Sequence, residues 1–187
     1  MLITQIVGED VSVDDMGAIV NTTSTRGVLH VHATPQALCP HIRWALESVA
    51  GRSADLEWYP QEALPGTVRT TLEWHGPQGT GALLASALQR LRNLRFEVTE
   101  EASPGADAGR WAYTPELGIF YGMTDSLGNT VITEDRVRYA YEMAKGDPAA
   151  LLGQFSLALG EAWDTELEPL RETTITPSNV RFLHRVG

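Results

Sequence analysis

A single cysteine, Cys39, stands among 187 residues, so no internal disulfide can brace the fold, and a reducing cytoplasm is the expected compartment. Basic residues are scarce as well. The 14 Lys and Arg against 24 Asp and Glu give a formal net charge of -10, which repels a polyanion and sets nucleic acid aside as a partner. The opening "MLITQIVGEDVSVDD" has no basic stretch before its apolar residues and reaches an acid by Glu9, so neither a secretory signal nor a transit peptide is expected. The apolar runs fall well short of the ~20 residues that cross a bilayer, and no membrane partner is expected. Aromatics are few, and Trp44, Trp58, Trp74, Trp111 and Trp163 are spaced for packing rather than as a stacking platform.

What is present, 43% hydrophobic and 20% charged residues, is the composition of an ordinary globular chain. Residues 1–25 lack strong periodicity and end in the polar "NTTSTRG", which reads as an N-terminal extension with a linker. From Arg26 the pattern sharpens. "RGVLHVHA" reads as a strand, and "PHIRWALESVAG" places Ile42, Ala45, Leu46 and Val49 on one helical face before Gly51. "DLEWYP" and "TVRTTLEWH" alternate as strands, "TGALLASALQRL" returns to helical spacing, and "LRFEVTE" alternates with Leu94, Phe96 and Val98 inward.

The order βαββαβ over residues 26–102 predicts an α+β fold whose first half is ferredoxin-like, with two helices on one face of a four-stranded antiparallel sheet. Parity then places Val28, His30 and His32 on the helix-free face with Arg69, Thr71, Glu73 and His75, joined by Arg95 and Glu97. Residues 110–187 form an integrated α+β second half. Strands are expected around Tyr113, Ile119, Phe120, Tyr121 and Met123, then a helix capped by Thr133. A longer helix follows in "DPAALLGQFSLALGEAWDTELEPL", capped by Asp147 and turning Leu151, Phe155, Ala158, Leu159 and Ala162 inward; "VRFLHRV" alternates as a final strand. This half is apolar enough to pack over the helix-free face of the first.

Three constellations could carry chemistry. On one strand face, His30 and His32 lie about 7 Å apart, near enough to converge on a zinc ion with His75 as a third ligand; the bland reading hydrogen-bonds them to Glu73, Thr71 or the covering half. Cys39 precedes Pro40 at a helix start that would favour thiolate, but no base or oxyanion pocket is implied, and an inert cysteine closing the helix onto the sheet is the preferred reading. "HGPQGTGALL" passes from strand to helix through Gly76, Gly79 and Gly81, where exposed amides could hold a phosphate or carboxylate such as a phosphopantetheine-like group. The Walker lysine is missing, so a turn with Thr80 as N-cap is the simpler account. Gly79, Thr80 and Gly81, with Arg69 and Arg95, are the ligand-binding candidates. The acids Glu161, Asp164, Glu166 and Glu168 read as a solvated helix face, and "RLRNLR" (Arg90, Arg92, Arg95) as a solvated helix end.

The stretches "STRGVLHVHATPQALCPHIRWAL", "LRFEVTEE", "YTPELGIF", "AWDTELEPLR" and "FLHRVG" resemble an uncharacterised actinobacterial family, catalogued as domain of unknown function 3145. The resemblance runs from about residue 24 to the end, whereas the residues before Thr23 depart from the family's usual start. It implies no catalytic residue. It does imply a link to fatty-acid metabolism, with acyl-carrier or fatty-acid synthesis proteins as partners.

The residues therefore favour a cytoplasmic small-ligand-binding or protein-interaction module over an enzyme. No cofactor is called for. Self-association into a homo-oligomer is compatible with a sheet of this type. The alternative is a metal-assisted hydrolase or related enzyme using His30, His32 and His75 on zinc.

Overall fold

The alternating and helical patterns condense, in a computed structural model that describes residues 23–51 and 53–172, into one seven-stranded sheet with helices on both faces. The strands are β1 (Ser24–Pro35), β2 (Tyr59–Pro60), β3 (Thr67–Pro77), β4 (Arg95–Glu100), β5 (Ala108–Thr114), β6 (Gly118–Thr124) and β7 (Thr130–Val131). The helices are α1 (Cys39–Ala50), α2 (Thr80–Leu88), α3 (Glu134–Ala144), α4 (Pro148–Leu159) and α5 (Glu161–Glu172), with a short 3-10 turn at Gln36–Leu38. Strand order is β2-β3-β1-β4-β5-β6-β7 and every pairing is antiparallel. The architecture is α+β. Because β4 pairs with β5, the ladder continues from the first half of the chain into the second.

The main core lies between the sheet and α1 and α2. Leu29, Val31, Phe96 and Val98 alternate inward from β1 and β4 to meet Ile42 and Leu46 of α1 and Leu84 and Leu88 of α2, the period-2 and period-3.6 patterns meeting in one apolar layer. A smaller core covers the opposite face, where Trp163, Leu167 and Leu170 of α5 pack on Ala33, Ala112 and Phe120. A bulge in β1 between Val31 and Thr34 separates the two sets: Val31 belongs to the first core and Ala33 to the second, although uninterrupted alternation would put both on one face. Gln61 ties the layers together, its amide donating to the carbonyls of His32 and Leu170 (2.9 and 3.1 Å).

Several local expectations are corrected. Strand β1 begins at Ser24, inside the segment read as a linker, because Thr25 is buried and its hydroxyl donates to the Glu101 carbonyl (2.8 Å). In "DLEWYP" only Tyr59 and Pro60 join the sheet; Leu56 turns into the main core, and Pro60 has no N–H to extend a ladder. The long helix expected from Pro148 onward is two helices. Gly160 breaks it with φ of 77°, a left-handed conformation that costs glycine little, and so lets α5 turn onto the sheet. Consequently none of α4 is fully buried and Ala162 is exposed. Thr133 and Asp147 do cap α3 and α4. Residues 1–22 and the expected strand "VRFLHRV" lie outside the described residues. Among the described residues no helix is long and apolar enough to cross a membrane.

Candidate functional site

Between β1, β4, β5 and α5 lies a buried ionic cluster centred on Glu97. Register places it there: His30 of β1 is opposite Glu97, which is in turn opposite Ala112 of β5. Glu97 Oε1 accepts from Arg110 Nε (2.8 Å) and Arg171 Nη2 (2.6 Å). Its Oε2 accepts from His32 Nε2 (2.7 Å) and Arg171 Nε (2.8 Å). Asp164 bridges the two arginines, and Glu168 accepts from Arg171 Nη1 (2.9 Å). The Arg171 guanidinium thus fastens α5 to the middle of the sheet.

Burial alone would push the Glu97 carboxyl up; the hydrogen bond and charge of His32, with Arg171 and Arg110, outweigh it and hold the group well below the usual carboxylate range. For Arg171, burial works against the charge, and its bonds to Glu97, Asp164 and Glu168 prevail, raising its pKa further. A carboxylate offers about four acceptor positions, and Glu97 receives four hydrogen bonds. It has no capacity left for a substrate proton or a metal ion, and the cluster acts chemically as a clamp.

His30 borders this clamp. Its ring stacks on that of His32 at 5.8 Å between centroids, and its Nδ1 lies 3.1 Å from Thr71 Oγ1. Burial first, then neighbouring His32, push its pKa down to about 4; Glu97 pulls the other way and Arg171 lowers it. The sign of the pH effect follows. As pH falls, the unfolded chain takes up a proton near the ordinary value of about 6.5, whereas the folded ring resists until about 4. Stability is therefore expected to decline across that window, by no more than about 3 kcal/mol because the ring keeps some solvent contact. A His30→Gln chain should lose this slope while keeping the acid loss from Glu97 at lower pH. Urea unfolding of both proteins at about pH 7 and about pH 4.5 checks it; parallel behaviour would refute the assignment to His30.

The other candidates are placed as follows. His75 is opposite Arg26, four residues along β3 from the Thr71 that faces His30, a separation of about 13 Å at strand rise. His30 and His32 come together and His75 does not join them. Among the described residues no group of three or more His, Cys, Asp or Glu side chains is arranged to hold a metal ion. The amides of Gly79 and Gly81 at the start of α2 donate to the two oxygens of Glu100 (2.6 and 2.8 Å), so the anion at this helix start is the chain's own carboxylate. The N-cap is Gly79, and Thr80 Oγ1 donates to the Pro77 carbonyl instead (2.6 Å). Arg95 bonds Glu116 and Glu166. Arg69 donates to the Pro60 carbonyl and lies over the Tyr59 ring.

Cys39 is half-buried at the first residue of α1, and burial raises its thiol pKa against the pull of its backbone hydrogen bond and Arg43. The acidic face read as solvated is corrected at two positions, where half-buried Asp164 bonds Arg110 and Arg171 and half-buried Glu166 bonds Arg95; Glu161 and Glu168 are exposed as expected, Glu168 also bonding Arg171. Arg110 and Arg171 escaped the sequence reading altogether. The available signal was the spacing of Asp164, Glu168 and Arg171, which share a helical face beside Trp163, Leu167 and Leu170.

Residues 28–185 match the family described as Protein of unknown function (DUF3145). The chain belongs to this family. The family span takes in every residue of the Glu97 clamp and the whole of α3 and α4. No curated protein and no solved structure matches the chain significantly.

Proposed function

We propose that this family member is a protein-interaction module on a ferredoxin-like α+β scaffold rather than an enzyme. The observation that carries this reading is where exposed apolar side chains lie. Among the described residues, ten of the thirteen large ones fall between Leu117 and Leu157, a concentration that a free surface rarely keeps without a partner. Helix α4, "PAALLGQFSLAL", has no charged residue and no fully buried one; Leu152 and Leu157 are 67% and 48% exposed. An uncharged surface helix gains little from water and much from an apolar protein face. The occupant we assign is a protein surface of matching apolar character in a reducing cytoplasm, the compartment that a one-cysteine chain suits.

The test compares the intact chain with a Leu152→Glu/Leu157→Glu variant in pull-downs from the source cell, with acyl-carrier and fatty-acid synthesis proteins among the proteins assayed. Both positions are exposed, so the fold should be unaffected to within about 0.5 kcal/mol. The expected result is a captured protein whose recovery falls at least about tenfold with the variant, and whose addition slows amide exchange in Pro148–Leu159. Equal recovery by both chains, or capture without protection of α4, would sink the proposal.

A further inference from the structure

Two parts of the exposed apolar surface stand apart from each other in the fold, one on the sheet and one on a helix. On β6 and β7, alternation and the pairing of Met123 with Val131 place Ile119, Tyr121, Met123 and Val131 on one face of the sheet. This is the face that carries α1 and α2. The Tyr121 ring leans on Trp111 at 5.0 Å between centroids, and Trp111 packs against the main core. Beyond Trp111 the strip is open: Ile119, Tyr121 and Val131 are 40%, 54% and 42% exposed. It is a place on a sheet where a helix would ordinarily lie.

The second part is α4, whose exposed Ala149, Leu152, Gly153 and Leu157 make a stripe at helical spacing. Its own chain does not bring this helix onto the strip, since α4 leads through Gly160 into α5, which packs on the opposite face of the sheet with Phe120 and Trp163. Among the described residues, one molecule thus carries an apolar sheet strip and an apolar helix that no other element covers. We propose that two copies associate about a two-fold axis, the α4 stripe of each lying over the β6–β7 strip of the other.

This rests on the interaction reading above and names the partner as a second copy. A two-fold contact is self-complementary when one surface meets a different surface on the copy and the exchange is returned. The dimensions agree: 12 residues of α4 span about 18 Å, and 7 residues of β6 about 23 Å. Five large side chains make up the contact, Ile119, Tyr121, Val131, Leu152 and Leu157, each roughly half open. They present on the order of 500 Å² per partner, so the two copies together reach about the 1,000 Å² at the low end of specific interfaces, as suits a weak dimer. Strands β6 and β7 and helix α4 contain no charged residue. The repulsion between two chains of net charge -10 therefore acts from outside the contact, and salt should screen it and tighten the dimer.

Sedimentation of the intact chain is expected to show a monomer–dimer equilibrium with a dissociation constant below about 100 μM, tighter at high salt. Leu152→Glu and Tyr121→Glu should each weaken it at least about tenfold, with unchanged circular dichroism. A second measurement fixes the geometry. In a Cys39→Ser background, oxidising Leu152→Cys chains mixed with Tyr121→Cys chains should give a disulfide-linked mixed dimer, and neither chain alone should cross-link to itself. A chain monomeric at about 100 μM, or a dimer indifferent to both glutamates, overturns the proposal. A monomer that still captures another protein through α4 would leave the interaction reading standing, while a monomer that captures none would end both.

Discussion

Replacing Glu97 by glutamine is expected to lower the free energy of unfolding by about 3–5 kcal/mol, the cost of breaking a buried ion pair from one side. Glutamine has nearly the same shape, so packing is unchanged and the effect reports charge and hydrogen bonding. The carboxylate accepts from His32, Arg110 and Arg171 through both oxygens. An amide keeps one acceptor oxygen and turns two N–H donors toward guanidinium groups that are donors themselves. Arg110 and Arg171 then compete for that one oxygen and otherwise rely on their bonds to Asp164 and Glu168 at the periphery. With a urea slope of about 2 kcal/mol/M, the midpoint should fall by roughly 1.5–2.5 M. As a comparison, Glu101→Gln removes the exposed pair with Arg26 and should leave the urea midpoint nearly where it was. A loss of similar size in both variants would mean that the Glu97 cluster is not a clamp.

The second large effect is expected at Gly27, where reading the sequence alone predicts the opposite sign. Glycine within a strand is weak, and alanine ordinarily adds about 0.5–1 kcal/mol. In the folded chain a Cβ at Gly27 would stand 1.8 Å from the Thr99 carbonyl oxygen and 2.5 Å from the Trp74 ring. Strand β1 is held on both sides, Gly27 pairing with Trp74 of β3 and Glu100 of β4. It can shift only by breaking a ladder. Gly27→Ala should therefore destabilise the protein on the order of 3 kcal/mol, lowering the thermal midpoint by about 6–12 °C. Gly153→Ala is the matched control, since nothing lies within 4 Å of a Cβ there and the helix should gain up to about 1 kcal/mol. If Gly27→Ala melts at or above the temperature of the unaltered chain, the close approach of β1 and β4 is wrong.

Both predictions show where local reasoning ends. The alternation of Leu29 and Val31, or of Phe96 and Val98, is written in adjacent residues, so the main core and its two helices could be read directly. The caps of α3 and α4 were legible for the same reason: Thr133 and Asp147 act on amides two or three residues away. The pairing of His30 with His32 on one face followed from strand parity, and so did their nearness to Glu97. Gly160 was legible as a residue but not as a break, because a helix interior tolerates an isolated glycine and only the docking of α5 required its left-handed φ.

The clamp and the occupied helix start depend on a different kind of information. Arg171 reaches Glu97 across 74 positions of sequence, and Glu100 returns to Gly79 and Gly81 over about 20. No periodicity carries such a pairing. Seen in isolation, Asp164 and Glu166 look like a solvated face, and the Gly79–Gly81 amides look like an open anion site. By itself, then, the sequence determined the element types, the two-sided patterning, the acidic charge and the absence of internal cross-links, all set by composition and nearest neighbours. Only the tertiary structure decided which charges are buried against each other, which amides are already taken and which apolar faces stay uncovered, because those depend on sheet register and helix docking.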